Sequence, residues 1–254
     1  MSDTNTGYEL KVFLKEEGLF TSAASLIIEI ANKCIKERGR FTISLSGGHT
    51  PEKLYGLLST NEYSKQIDWE KVIIFWGDER CVPLDDKDNN AHMARKFLLG
   101  KINIPAENIN PIPVNLPPQQ AAREYESEIT SFFGIKPPVF DLILLGIGDN
   151  AHTASLFPYT EVIKEKNALV KEVYIEEQKM FRVTMTAPLI NKASNVLFLV
   201  TGKEKSMAMH QILNSPQQPD KYPAQLIKPR EGKLYWFVDK EAASLLGNKG
   251  QKVN

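Results

Sequence analysis

Hydrophobic and polar positions along this chain follow two alternating rhythms. Ala23, Leu26, Ile27, Ile30, Ala31, Cys34 and Ile35 recur at helical spacing and predict an amphipathic helix. It should stop near Arg38-Gly39, a basic last turn followed by glycine. FTISLSGG then reads as a short strand running into glycines. Thr50-Pro51 reads as an N-cap with proline at the first helical position, opening the helix PEKLYGLL. KVIIFWGDER repeats the pattern as a buried strand ending in Gly77 and a charged cluster, followed by the helix DNNAHMARKFLL. Residues 103–118, rich in Pro and Asn, predict a surface loop. QQAAREYESEITSFF carries Ala122, Tyr125, Ile129 and Phe132 or Phe133 on one helical face. FDLILLGIG, FRVTMT, NVLFLV and KLYWFV read as further strands, and TGKEKSMAMHQIL as a loop and then a helix.

Continuous apolar strands separated by helices predict a Rossmann-like α/β fold, a mostly parallel sheet with helices on both faces. The Pro-rich stretches near 103–118 and 215–230 fit excursions from one sheet, so residues 1–254 are expected to form a single domain. Lys+Arg and Asp+Glu are 31 each, which excludes a polyanion binder held by bulk charge and leaves a small molecule as the expected partner. Cys34 and Cys81 are too few for a disulfide framework. No apolar run approaches the ~18 residues of a membrane span, and the start MSDTNTGYEL has no signal-peptide core. The expectation is a cytoplasmic protein, a monomer or small homo-oligomer, with no nucleic-acid or membrane partner.

Ligands of open parallel sheets bind outside the carboxyl ends of the strands. Four strands here end in SGGHTP, GDERCVP, GIGDNAHTASLFP and TGKEK. Ser46, Gly47, Gly48, His49 and Thr50 join a strand to a helix, where backbone N–H groups and the helix dipole form a phosphate cradle. The alternative is a tight turn and nothing more. Asp78-Glu79-Arg80 is either a substrate-holding triplet or a surface ion cluster of little energetic weight. His152 follows Gly146, Gly148 and Asp149 at a strand's carboxyl end. Its unperturbed pKa of ~6.5 suits proton transfer, and Asp149 is the candidate to orient it. His49, His92 and His210 have weaker cases. Arg182 and Lys205 are ordinary surface cations unless the fold brings them to the same edge, where they would neutralise a phosphate. No Cys/His cluster has zinc spacing, and GxSxG is absent, so neither a metal site nor a serine-hydrolase triad is expected.

SLSGGHTP, FWGDERCVP with DNNAHM, LLGIGDNAHTASLFP, RVTMTAPLIN and VTGKEK, taken in order, resemble the 6-phosphogluconolactonase family over roughly residues 20–245. The resemblance implies a glucosamine-6-phosphate deaminase-like fold without NAD. It also implies hydrolysis of 6-phosphogluconolactone to 6-phosphogluconate, in the oxidative pentose phosphate pathway, with no metal or cofactor. His152 would be the general base. Gly47, Gly48, Arg182 and Lys205 would hold the sugar phosphate, Arg80 the phosphate or the oxyanion, and Asp78 and Asn90 the sugar hydroxyls or their neighbours. The family loop reads GxGxDGHTASLFP, whereas this chain has Asn150-Ala151 before the histidine. Ala151 gives up glycine's freedom at positive φ. Two other readings stand beside this one: a deaminase-like isomerase, whose LDEY and HIAFNEP versions of these motifs are replaced here, and a non-catalytic sugar-phosphate sensor.

Overall fold

A computed structural model describes residues 7–247 and the backbone of 252–253. The strands are β1 (Glu9–Phe13), β2 (Phe41–Leu45), β3 (Val72–Trp76), β4 (Asp78–Arg80), β5 (Leu142–Leu145), β6 (Val170–Ile175), β7 (Met180–Met185), β8 (Asn195–Val200), β9 (Lys233–Asp239) and β10 (Lys252–Val253). The helices are α1 (Glu16–Arg38), α2 (His49–Leu58), α3 (Asn61–Ser64), α4 (Asn90–Phe97), α5 (Pro118–Phe133), α6 (Ala187–Ile190) and α7 (Ser206–Asn214).

The main sheet has 7 strands in the order β10-β1-β9-β8-β5-β2-β3, and every neighbouring pair is parallel. Helices cover both faces, so β2 and β5 are buried throughout, and the unbroken apolar run of β5 is the signature the sequence carried. The buried polar groups of β2 are paired: Thr42 Oγ1 donates to Asp141 Oδ2 at 2.9 Å. Helix α1 ends as expected on Gly39, at φ 74°, whose N–H donates to Ile35 O at 2.9 Å. The apolar length of α1 is spent on the core, where Leu19, Phe20, Ala23, Ala24, Ile27 and Ala31 are buried.

Three expectations are corrected. FRVTMT (β7) is not in the main sheet but is the centre of a 3-stranded antiparallel sheet, β4-β7-β6. That sheet leaves part of β6 and β7 exposed, which an antiparallel sheet tolerates. Asp78-Glu79-Arg80 is not the charged end of β3 or a surface cluster but a strand of its own, β4, with Asp78 and Glu79 buried. The transfer between sheets happens at Gly77, whose N–H still donates to Leu45 O of β2 while its carbonyl accepts from Met185 N at 2.7 Å. Helix α2 starts at His49, with Gly48 before it at φ 106°, so Thr50 is inside the helix and is not its cap. Thr50 Oγ1 instead pairs with Thr201 Oγ1 at 2.8 Å, tying the loop after β2 to the loop after β8.

From β2 the chain proceeds to β3 on one side, and from the adjacent β5 it proceeds to β8 on the other. This is a topological switch point, and a crevice opens outside the carboxyl ends of those two strands. The Ser46-Gly47 loop leaves one strand and the His152 loop leaves the other.

Candidate active site

Two buried tyrosines finish the strands that carry the site. Ser46 N–H donates to Tyr55 Oη at 3.1 Å, and the Tyr55 hydroxyl donates to Ser46 O at 2.8 Å. Tyr125 repeats the arrangement on Trp76, at 2.7 and 3.0 Å. The backbone at the loop entrances is thereby satisfied without a neighbouring strand. Tyr55→Phe is expected to leave both Ser46 backbone groups unpaired and to cost about 1–3 kcal/mol in a urea melt. Unchanged stability would show that water replaces the hydroxyl. With its backbone held, Ser46 keeps a buried Oγ that no group satisfies.

Gly47 is glycine because Asn90 occupies the space of its side chain: a Cβ there would lie 1.8 Å from Asn90 Oδ1. Asn90 is fixed in turn by its Nδ2, which donates to Asp78 O at 2.9 Å.

The antiparallel sheet supplies the charge. Register places Arg80 directly opposite Arg182. Like charges in that position repel, and burial makes the repulsion worse. Part of the compensation is Asp78, which is buried and has Oδ2 3.6 Å from Arg182 Nη1. Ser155 Oγ donates to the same Oδ2 at 2.6 Å. Arg182 Nη2 donates to Gln178 Oε1, and Arg80 Nη1 donates to Asp88 O at 2.6 Å. Burial lowers the pKa of Arg182, Asp78 opposes the shift and Arg80 adds to it. The Nε atoms of Arg80 and Arg182 are buried and have no hydrogen-bond partner. Two guanidinium N–H groups and the Ser46 hydroxyl are therefore left unpaired among these residues, and both guanidinium groups belong to residues lining one cleft, a charge that suits an oxyanion ligand.

His152 lines the same cleft. Its ring stacks on Phe157, with centroids 3.9 Å apart and planes 16° from parallel. Nδ1 is 2.6 Å from Asn150 Oδ1, which also accepts the His152 backbone N–H at 3.2 Å. An amide oxygen only accepts, so Nδ1 carries the proton of the neutral ring and Nε2 keeps the lone pair. Burial pulls the ring's pKa down to about 4; Asp78 opposes the fall, and Arg182 and Lys205 assist it. Gly148 lies against the ring edge, and a Cβ there would meet Cε1 at 2.1 Å. The orienting role expected of Asp149 falls to Asn150. Asp149 is exposed and accepts the Asn150 N–H at 3.0 Å, because the turn through Ala151, at φ 63°, swings residue 150 beneath the histidine.

A cleft of about 110 Å³ gathers Ser46, Gly47, Asp78, Arg80, Asn90, His152 and Arg182. Lys205 is half-buried in the turn before α7, close enough to depress the His152 pKa. Gly48 and His49 are exposed, and Thr50 is engaged with Thr201. A larger groove of about 550 Å³ adjoins on the far side of Asn150 and Phe157, and Asp149 faces it. None of the residues with unpaired donors lines that groove; Ser46, Arg80 and Arg182 line the smaller cleft. The residues that sequence reasoning passed over are Ser155, Phe157, Gln178 and Tyr55. The first two lie inside ASLF, a motif already singled out; the others carry no signal. Among the described residues no cluster of His, Cys, Asp and Glu is arranged to hold a metal.

Residues 14–236 match the family model described as glucosamine-6-phosphate isomerases/6-phosphogluconolactonase. A 6-phosphogluconolactonase of Synechocystis sp. is 40% identical over 242 residues, 94% of this chain and 98% of its own. The solved 6-phosphogluconolactonase of Trypanosoma cruzi superposes with a TM-score of 0.85 at 29% identity, covering 95% of this chain and 97% of its own. A monomeric glucosamine-6-phosphate deaminase superposes with a TM-score of 0.80 at 22% identity, covering 93% and 99%, a likeness that bears on the fold alone.

Proposed function

We propose, from the premise that this chain belongs to the glucosamine-6-phosphate isomerase/6-phosphogluconolactonase family, that it hydrolyses 6-phosphogluconolactone to 6-phosphogluconate, the second step of the oxidative pentose phosphate pathway. One observation carries the reading: two opposed arginines with unpaired Nε atoms share a cleft with a neutral histidine whose Nε2 is an acceptor. The first feature suits a phosphate and the second suits water activation.

In this reading His152 Nε2 takes a proton from water as the water oxygen attacks the lactone carbonyl. The tetrahedral oxyanion collapses and expels the ring oxygen, which receives the proton back from the imidazolium. Asn150 holds the tautomer throughout. Gly47, Arg182 and Lys205 hold the phosphate, with Ser46 lending its free hydroxyl. The pairing of Arg80 with Arg182 favours the phosphate for Arg80 over the oxyanion. The working unit is one α/β domain, since a single buried cluster runs through both sheets. Cys34 and Cys81 are free thiols, in keeping with a cytoplasmic setting.

The test is a coupled assay with freshly made 6-phosphogluconolactone, corrected for spontaneous hydrolysis. Turnover is expected for that lactone and little for unphosphorylated gluconolactone. Ammonia release from glucosamine 6-phosphate at a matching rate would overturn the reading in favour of the isomerase, and binding without turnover would favour the sensor. Lys205→Ala should raise KM roughly tenfold with kcat within about threefold, because a phosphate held equally in ground and transition states is uniform binding. A loss confined to kcat would move Lys205 to the reacting atoms.

Asn150 tests the orienting contact. A carboxylate there would favour the charged imidazolium as a neutral amide does not. Asn150→Asp is expected to raise the His152 pKa, read by NMR titration of the free protein. An unchanged titration would mean that residue 150 does not govern the ring.

A further inference from the structure

Glu79 takes no part in the mechanism above, yet it is 1% exposed and lies beneath the site. Its Oε1 accepts the Arg80 N–H at 2.9 Å and the Asn90 N–H at 2.7 Å, and its Oε2 accepts the Ala91 N–H at 2.9 Å. Arg80 and Asn90 are the two ends of the loop 81–89, so one carboxylate closes that loop. Both residues line the cleft, and both are tied down from within the same substructure. Arg80 Nη1 donates to Asp88 O, and Asn90 Nδ2 donates to Asp78 O. Asn90 and Ala91 are also the first residues of α4, where N–H groups have no partner within the helix. A carboxylate there is favoured by the helix dipole as well as by the bonds.

We propose that Glu79 is a positioning residue: by clasping the N–H groups of Arg80, Asn90 and Ala91 it sets the guanidinium of Arg80 and the carboxamide of Asn90 against the Gly47 loop, in the geometry that receives the substrate. The proposal rests on the lactonase reading. Burial already tells against the charged form, and the Glu79 pKa is raised to about 7 despite the three N–H bonds. A carboxylate kept in such a place without those donors would be costlier still. Its charged neighbours are Asp78 on its own strand and Arg182 on β7, with Cys81 and the Tyr125 hydroxyl beside it.

Glu79→Gln preserves the shape but turns an NH2 group towards one of the three donors. For a protein that folds, KM for 6-phosphogluconolactone should rise roughly tenfold with kcat within about threefold, since the hydrogen bonds of Glu79 go to Arg80, Asn90 and Ala91 and not to His152. Placed on an Asn90→Ala background, the same substitution should raise KM less than it does alone, because only the part of its effect that passes through Arg80 remains. An unchanged KM, or an effect of the same size on the Asn90→Ala background, would overturn the proposal. Wild-type protein that does not hydrolyse the lactone would instead overturn the reading beneath it. If Glu79→Gln does not fold, hydrogen exchange on the unsubstituted protein decides. The Asn90 and Ala91 amides should exchange slowly, and more slowly with 6-phosphogluconate bound; fast exchange at both overturns the proposal.

Discussion

Replacing His152 by alanine is expected to lower kcat on 6-phosphogluconolactone roughly 10²–10⁴-fold, the usual worth of a positioned acid–base group. KM should stay within a few-fold, since the phosphate is proposed to rest on Gly47, Arg182 and Lys205. His152→Gln should fall as far, because an amide fills the space but accepts no proton. The fold should survive both, as the ring lines the wall of the cleft and is not part of the hydrophobic core. The pH dependence gives a second handle. An ordinary histidine charges as pH falls through ~6.5 and is then no base. Here burial holds the pKa at about 4, so the ring stays neutral across pH 5–8 and is lost as a base only as pH falls through about 4. NMR titration of the free protein should find that value. A folded His152→Ala protein with near-wild-type kcat would remove this residue from the chemistry and point to Asp78 or Glu79.

The same histidine shows what was legible in the sequence. Strands buried on both faces announce themselves: LILL in β5 and NVLFLV in β8 are apolar without interruption because helices lie above and below them. Strands β1 and β6 do not, because each leaves positions partly open, and alternation over five or six residues is a weak signal. FRVTMT reads as a strand, but nothing in its pattern says which sheet receives it. Strand β4 is the extreme case. Asp-Glu-Arg has poor strand propensity, and it is a strand only because Gly77 hands the chain to β7. The position of His152 was readable from glycines at a strand end. Its partner was not, since Asp149 and Asn150 are both polar neighbours and only the left-handed turn at Ala151 decides between them.

The second large effect concerns the charge beneath the site. Asp78 is the buried carboxylate facing Arg182, and Arg80 stands opposite Arg182 in the ladder. Removing one partner of a buried pair leaves the other charge uncompensated, at a cost of about 3 kcal/mol. Asp78→Asn keeps the shape and still accepts from Ser155, so the loss it produces measures charge alone. A urea melt should show that loss, and Arg182→Gln added to it should recover part, because the orphaned charge is then gone. The effect of inorganic phosphate separates an anion site from a merely structural ion pair. An anion that binds only the folded protein stabilises it in proportion to its affinity. With Asp78 neutral, the two arginines repel each other more and attract phosphate more, so phosphate should raise the melting temperature of Asp78→Asn further than that of wild type. A smaller rise than in wild type would mean that the arginines are held by Asp78 for the fold and do not act together on a phosphate.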